Sequence, residues 1–355
     1  MIAYSVFGGR FRSDLPFPEL PPPDSRSERD GDGRPTYTLR RAGPHPTGTG
    51  ALLGEEDAGD AGRLRLFRAD AGLRLVHDRT GTYDVHPERG LVEWHPLPGG
   101  TDDELVRTAV LGRVLPVLLH GRGLFLLHAS GVSVNGRALG FAAPKGHGKS
   151  TVALAMATQG AGLIADDTLV LDLDEPVRAW PGDRHLKVWD DAAKARELPL
   201  PARRPLASLS ADRTASGEEK RKYLLTGGDI PGLHWEEERL PLAALYFLVP
   251  TPAGNGEGAD AGGSGDRDGD GSATRRVRLS SVEAAPVLVS CAKLAPLLHD
   301  SEASVLLERA TRVAEHVPVY AIELPRDHSR LSGVCGDIRR WHDGPRVGAA
   351  AGDGA

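Results

Sequence analysis

An eight-residue segment near the middle of the chain has the composition of a phosphate-binding loop. Residues 143–150 read Ala-Pro-Lys-Gly-His-Gly-Lys-Ser and fit the pattern G-x-x-x-x-G-K-[ST], except that Ala143 replaces the first glycine. In such a loop the backbone N–H groups turn inward, and the next helix adds the positive end of its dipole. The pattern predicts that Lys149 reaches the β- and γ-phosphates of a nucleotide and that Ser150 binds Mg²⁺.

The residues on both sides of the loop support this prediction. An apolar run ends at Phe141-Ala142, and a helical pattern begins at Lys149 and continues to Met156. A strand, a glycine-containing loop and a helix in this order are the context that the motif requires. The alternative is a fortuitous Gly-Lys-Ser turn. The predicted nucleotide contacts are Ala143, Pro144, Lys145, Gly146, His147, Gly148, Lys149, Ser150 and Thr151.

The neighbouring elements are predicted to form a mixed, largely antiparallel sheet in an α/β fold. Asn135-Gly136 between two apolar runs is a strong hairpin signal, so the strand that enters the loop is the second arm of an antiparallel hairpin. After the helix, 163–171 predicts two strands with Asp166 and Asp167 between them and no crossover helix. The sheets of Ras-type and ABC-type P-loop proteins are instead built from parallel βαβ units.

The rest of the chain is predicted to form two regions with disordered segments. Residues 1–100 are β-rich, with a disordered insertion at about 21–62 that is rich in Pro, Gly and Asp and in which a short strand at 37–39 is an option. Residues 101–343 form the P-loop core, with a disordered Gly/Asp-rich insertion at about 252–274 and a disordered tail at 344–355. Helices are predicted over 105–119, with a kink at Pro116, and over 282–298.

Composition argues against several classes of partner. The chain has 355 residues and a net charge of −6, which disfavours a nucleic acid or a membrane surface as the main partner. Cys291 and Cys335 lack the spacing of a metal site or a disulfide framework. We therefore expect two ordinary thiols in a reducing compartment. Because no apolar run approaches the length of a membrane span, we expect a cytoplasmic protein. The oligomeric state stays open, and a homo-oligomer is one option.

Residues 126–174 carry a resemblance to a known family. They read LLHASGVSVNGRALGFAAPKGHGKSTVALAMATQGAGLIADDTLVLDLD. This segment resembles the nucleotide-binding core of the HPr kinase/phosphorylase-related (HPr-kinase-like) P-loop kinases, of the type found with bacterial peptide-tailoring and other biosynthetic systems. Shorter stretches at 7–20, 180–192, 240–250 and 317–334 resemble the same proteins. These kinases share a fold with the ATP-dependent phosphoenolpyruvate carboxykinases, so the resemblance implies a core of that type.

The resemblance also implies a reaction and a set of residues. It implies transfer of the γ-phosphate of ATP to a hydroxyl group, on a serine of a peptide or protein or on a small-molecule alcohol. Ser150 and Asp166 would bind Mg²⁺. Of the two acids, one would lie near the metal and the other would act as the base toward the acceptor, in an order that the sequence leaves open. The catalytic candidates are Lys149, Asp166, Asp167 and His128.

Some of these candidates also have a structural interpretation. Residues 165–168 have the composition of a β-turn, so Asp166 and Asp167 could serve only to turn the chain. His128 matches a histidine that the family places by the active site, where it could contact phosphate or tune an aspartate. A purely structural histidine is an equal alternative.

The chain departs from the HPr kinases proper downstream of the acidic pair. It lacks their Glu-[Ile/Val]-Arg-Gly segment, so neither HPr as the acceptor nor the reverse phosphorylase activity is implied. Arg184 and Lys187 stand in this region as candidate cations for phosphate or an acidic acceptor, with ordinary surface charges as the alternative. The competing function is a nucleotide-binding sensor or maturation partner without transfer. A carboxykinase-like activity is disfavoured, because no set of metal-binding His and Lys residues is recognisable.

Overall fold

The computed structural model describes residues 1–23, 34–43, 50–57, 59, 62–69, 72–189, 212–213, 219–220, 222–225, 232–250, 274–298, 300–325 and 330–343. The segments at 252–274 and 344–355 that the sequence predicts to be disordered lie outside these ranges, apart from Thr274.

The N-terminal region is an eight-stranded sheet. Its strands are β1 (Ile2–Val6), β2 (Gly9–Ser13), β3 (Thr36–Arg41), β4 (Ala51–Asp57), β5 (Arg63–Ala69), β6 (Gly72–His77), β7 (Gly81–His86) and β8 (Leu91–His95). They lie in the order β1-β2-β3-β8-β7-β6-β5-β4. Strand β3 is parallel to both of its neighbours, and the other pairs are antiparallel.

The prediction of a disordered insertion over about 21–62 is wrong where the structure describes it. Strands β3 and β4 lie inside this range; β3 contains the short strand considered at 37–39, and β4 was not predicted. Composition was misleading because the glycines and prolines flank short alternating segments. In β3, Tyr37 and Leu39 are each 1% exposed and pack into the core while their neighbours face outward. Pairing with β2 and β8 therefore decides the conformation of this segment.

A second sheet and its helices make up the rest of the chain. The strands are β9 (Phe125–Leu127), β10 (Ala129–Val134), β11 (Arg137–Ala142), β12 (Gly162–Ala165), β13 (Leu169–Asp172), β14 (Arg178–Trp180), β15 (Leu186–Trp189), β16 (Asp212–Arg213), β17 (Glu219–Lys220), β18 (Lys222–Leu225), β19 (Leu240–Pro250), β20 (Arg276–Leu279) and β21 (Val319–Leu324). The helices are α1 (Asp103–Ala109), α2 (Leu115–Gly121), α3 (Lys149–Thr158), α4 (Ser281–Ser290), α5 (Asp300–His316) and α6 (Leu331–Trp341).

The topology of this second sheet confirms the predicted α/β class with a mixed sheet. The order is β12-β10-β11-β19-β14-β13-β9, and β21 pairs with β19 and with β20. The hairpin of β10 and β11 is antiparallel, with Asn135 and Gly136 at its turn in the left-handed conformation. Only the β11–β19 and β19–β21 pairs are parallel. Strands β15 and β18 pair separately, as do β16 and β17.

Two predicted helices differ from those observed. The helix over 105–119 forms as α1 and α2, joined by a π-helical turn at Val110–Val114 that accommodates the ring of Pro116. The helix predicted over 282–298 ends at Ser290, and a 3₁₀ turn follows at Ala295–Leu297. The helix stops because the next residues pair with β9: His128 N–H donates to Cys291 O at 2.7 Å, and Lys293 N–H donates to Leu126 O at 2.9 Å.

Buried side chains form two hydrophobic clusters. The larger joins the N-terminal sheet to α1, α2, β9 and β13 and therefore crosses the predicted boundary near residue 100, which stays a prediction. The smaller packs α3 and α6 against the second sheet through residues such as Leu139, Met156 and Ile338. Within the described ranges, every helix is too short or too polar to cross a membrane.

Candidate active site

The loop at 143–150 connects β11 directly to α3. Gly146 and Gly148 have φ of +85° and +84°, a conformation that residues with a side chain rarely adopt. These two glycines therefore allow the turn that brings the chain into the first turn of α3 at Lys149. Ala143 is buried at the end of β11 and is not among the residues with positive φ, so its side chain meets no backbone strain there.

Lys149 bends back over the loop that precedes it. Its ammonium group donates to Ala143 O at 2.9 Å and to Pro144 O at 3.1 Å, and the residue is only 6% exposed. An ammonium group that binds the carbonyls of its own loop is held at the start of α3, beside the loop's N–H groups. Among its neighbours in the loop, Pro144, Lys145 and Gly146 are exposed.

Asp166 is held by three hydrogen bonds from three different elements. Its Oδ1 accepts from Ser130 Oγ at 2.6 Å and from Ser150 Oγ at 2.8 Å. Its Oδ2 accepts from the backbone N–H of Lys187 at 2.8 Å. The carboxylate is buried and fixed directly next to the hydroxyl at the beginning of α3.

Asp167 points to a different set of partners. Its Oδ2 lies 3.1 Å from Lys187 Nζ and 2.8 Å from Lys293 Nζ. His128 Nδ1 lies 3.1 Å from Asp167 Oδ1 and 3.2 Å from its backbone oxygen. Because both of these oxygens only accept, His128 carries its proton on Nδ1. Asp167 has a φ of +65°, an uncommon conformation that aspartate tolerates better than most residues.

Burial and the neighbouring charges have opposite effects on the pKa values of Asp167 and its two lysines. Burial alone would raise the pKa of Asp167, but the ammonium groups of Lys187 and Lys293 and the hydrogen bond from His128 hold it well below its usual range. Burial lowers the pKa of Lys293, whose side chain is 5% exposed. At Lys187, which is 25% exposed, burial is the largest single effect, but the combined attraction of Asp167, Asp183 and Asp166 outweighs it and raises the pKa. Asp167 is therefore an anion at neutral pH, between two lysines in unlike surroundings.

The N-terminal region positions the segment that carries Lys187. The backbone N–H of Phe7 donates to Gly182 O at 3.3 Å, and that of Gly182 donates to Ile164 O at 2.7 Å. His185 is buried, and its Nε2 lies 3.1 Å from Glu19 O. These contacts hold residues 182–187 between N-terminal residues 7–19 and the end of β12.

Gly182 leaves no room for a side chain. A Cβ atom there would lie 2.9 Å from Ala165 Cβ and 3.1 Å from Ala165 Cα. We expect Gly182→Ala to lower the free energy of unfolding by about 1–3 kcal/mol, because the clash must push β12 away from residues 182–187. Chemical denaturation measures this change. Gly112→Ala is the matched control, since a Cβ at Gly112 meets no atom within 4 Å; equal stability of the two variants would contradict the prediction.

The structure brings most of the predicted residues together. Ser150, Asp166, Asp167 and His128 lie in one network that is joined through Lys187. Lys149 precedes Ser150 in the chain, and its ammonium group contacts Ala143 O and Pro144 O. Residues 166–168 connect β12 to β13, with Thr168 N–H donating to Asp166 O at 2.8 Å, and the two carboxylates face separate partner sets. Thr151 lies in the first turn of α3, half-buried, and His147 Nδ1 lies 3.0 Å from Lys145 O.

For the two candidate cations, the structure distinguishes between the alternatives that the sequence left open. Arg184 pairs with Glu237 at 3.0 Å, whereas Lys187 contacts Asp167 and is not an ordinary surface charge. Ser130 and Lys293 were missed by the sequence analysis. Lys293 did leave one trace, as the only charged residue between Pro286 and Leu298 in an otherwise apolar segment.

Comparisons with known proteins find similarity among solved structures. No family model matches the chain, and no curated protein matches it. Among solved structures, it is similar to the HPr(Ser) kinase/phosphatase from Coxiella burnetii, with a TM-score of 0.28 and 11% sequence identity over 61% of this chain and 95% of that chain.

Proposed function

We propose that this protein is an ATP-dependent kinase of the HPr-kinase-like type that transfers the γ-phosphate to a hydroxyl group. The acceptor is a serine of a peptide or protein, or a small-molecule alcohol. The observation that supports the proposal is the placement of two carboxylates with separate tasks beside a phosphate-binding loop. Asp166 joins the hydroxyl of Ser150, and Asp167 lies between Lys187 and Lys293.

The loop and the start of α3 supply the nucleotide end of the site. Backbone N–H groups of residues 143–151 and the helix N-terminus suit the β- and γ-phosphates. In this proposal the ammonium group of Lys149 exchanges its contacts with Ala143 O and Pro144 O for phosphate oxygens. The new contacts are charge-assisted and stronger than those to neutral carbonyls.

The donor set next to the loop fits Mg²⁺. Ser150 Oγ and Asp166 Oδ1 are 2.8 Å apart, and both are the hard oxygen ligands that Mg²⁺ prefers. In the described ranges no group of three or more His, Cys, Asp or Glu could hold a metal without further ligands. Mg²⁺ commonly takes one or two protein oxygens together with phosphates and water. When bound, it would offset negative charge on the phosphate oxygens.

The second carboxylate is placed to act on the acceptor. Asp167 accepts the hydrogen bond of the attacking hydroxyl and takes its proton as the new P–O bond forms and the bond to ADP breaks. A weakly basic carboxylate is adequate, because a loose transition state leaves the proton on the hydroxyl until late. Lys187 and Lys293 offset the charge that spreads over the transferred group. His128 holds Asp167 through its Nδ1 proton.

Substitution of Lys293 tests whether phosphoryl transfer and ATP binding depend on different residues. We expect Lys293→Met to lower the rate of phosphoryl transfer by roughly 10²- to 10³-fold, because one fixed cation is lost where charge develops. ATP affinity should change by less than about fivefold, since the loop and Lys149 are untouched. Transfer from γ-labelled ATP gives the rate, and equilibrium titration with ATP gives the affinity.

Arg178→Met provides the matched control for loss of one positive charge. Arg178 is exposed on β14, away from the carboxylate pair. Its substitution should leave both the rate and the affinity unchanged. A Lys293→Met variant that transfers phosphate as fast as the Arg178→Met variant would remove Lys293 from the proposed mechanism.

A further inference from the structure

A half-open cavity lies between the N-terminal sheet and the core. Its volume is about 590 Å³, within the range of about 300–1,000 Å³ that is usual for pockets that bind small molecules. Strands β4 to β6, helices α2 and α5 and the segment after Lys293 surround it. Much of the wall is aliphatic, with contributions from Leu53, Leu66, Leu73, Val117, Leu294 and Leu298.

Arg309, one of the charged residues that line the cavity, is held by hydrogen bonds to α2 and to the segment that follows it. Arg309 Nη1 donates to His120 O at 3.0 Å, to Leu124 O at 2.9 Å and to His120 Nδ1 at 2.9 Å. These bonds use one end of the guanidinium group. Within the ranges that the structure covers, Nε and Nη2 of Arg309 have no hydrogen-bond partner. The planar group is thus pre-organised with donors left for a ligand, and Arg309 lines both this cavity and a neighbouring one beside Leu124 and Arg312.

His120 adds a neutral donor beside this cation. Its Nδ1 must accept, because a guanidinium group can only donate, so the neutral ring carries its proton on Nε2. Burial and the charge of Arg309 lower the pKa of His120 to about 3, so the ring is neutral at pH 7. His120 is 7% exposed and lines the cavity, and among the described residues its Nε2 has no hydrogen-bond partner.

The charged residues that line the cavity indicate the sign of the ligand's charge. Three arginines, Arg68, Arg89 and Arg309, stand against two glutamates, Glu88 and Glu302, and Arg68 pairs with Glu302. The cavity therefore has an excess of one positive charge, and the fixed donors belong to Arg309 and His120. A single planar carboxylate matches a guanidinium edge with an adjacent N–H donor.

We propose that this cavity is a binding site for a small amphiphile with one carboxylate, whose head group binds Arg309 and His120 and whose apolar body fills the aliphatic space. The site is separate from the phosphate-binding loop and from Asp167. Its ligand is therefore neither the nucleotide nor the phosphate acceptor of the proposed kinase, and the proposal stands without that function.

Calorimetric titration of the full chain with decanoate tests the site. We expect saturable binding with a Kd below about 1 mM, and binding of decanol at least about tenfold weaker, since decanol lacks the anion. Decyl phosphate separates a carboxylate from a phosphate head group and should also bind more weakly than decanoate. Tighter binding of decyl phosphate, or no saturable binding of decanoate, would overturn the assignment.

Two variants locate the binding. Arg309→Gln should weaken decanoate binding at least about tenfold, whereas Arg312→Gln on the same helix, outside this cavity, should not. Because Arg309 also binds two backbone carbonyls, Val305→Trp provides a second test: it fills the space from a half-buried position on α5. Unchanged binding in a folded Val305→Trp variant would contradict the site. Asp167→Asn should bind decanoate normally, which separates this result from the fate of the kinase proposal.

Discussion

Replacement of Asp167 by asparagine is expected to lower the rate of phosphoryl transfer by roughly 10²- to 10⁴-fold. The amide cannot take the proton of the acceptor hydroxyl. It also removes the anion between Lys187 and Lys293, so the two ammonium groups lose the partner that holds them at 3.1 and 2.8 Å. ATP affinity should change by less than about threefold, because no atom of Asp167 contacts the loop at 143–150. Single-turnover transfer and equilibrium ATP titration measure the two effects.

Asp174→Asn is the matched control for this variant. Asp174 is exposed beyond the far end of β13, the strand that Asp167 precedes. Loss of its charge should leave transfer intact. If Asp167→Asn is as active as Asp174→Asn and still binds ATP, the acidic pair has no part in chemistry. The competing role, a nucleotide-binding sensor that transfers nothing, would then be the better account.

Replacement of Lys149 by methionine is expected to weaken ATP binding by roughly 10²-fold and to abolish measurable transfer. The ammonium group makes charge-assisted contacts to phosphate worth about 2–3 kcal/mol, and methionine offers none. The substitution should be tolerated by the fold, since methionine follows the path of the lysine stem into the same buried position. Equilibrium titration with ATP, with thermal unfolding as a check of folding, measures the effect.

The control for Lys149→Met removes a charge from the same hairpin at its opposite end. Arg137 is exposed at the start of β11, five residues before that strand ends at Ala142. Arg137→Met should bind ATP as the parent does. A Lys149→Met variant with undiminished ATP affinity would mean that 143–150 is the fortuitous Gly-Lys-Ser turn that the motif alone does not exclude.

The backbone at the proposed nucleotide end of the site was predictable because it is local in sequence. Gly146, Gly148, Lys149 and Ser150 lie within five positions, and the Asn135-Gly136 turn determines how the preceding strand pairs. Alternation of apolar residues likewise predicted the meander from β5 to β8. A strand at 37–39, within β3, was predictable from its alternation, whereas β4 in the same Gly- and Pro-rich segment was not, since its pairing partner decides its conformation.

The acceptor end was predictable only in part because it is assembled from distant segments. Ser130 reaches Asp166 across 36 positions, and Lys293 reaches Asp167 across 126. A helical pattern over 282–298 predicted that Lys293 would lie on a helix, whereas pairing with β9 draws it into the site. No periodicity within 282–298 encodes that contact, which depends on where β9 lies in the sheet.

The central claim is that this site moves a phosphoryl group from ATP to a hydroxyl. Incubation of the protein with Mg·ATP and a panel of serine-containing peptides and small alcohols, followed by mass spectrometry and an assay for ADP, tests it most directly. We predict the mass gain of one phosphoryl group on a hydroxyl of one acceptor class, with an equal amount of ADP, and loss of both in the Asp167→Asn variant. Tight binding of ATP with neither a mass gain nor ADP formation would contradict the proposed kinase.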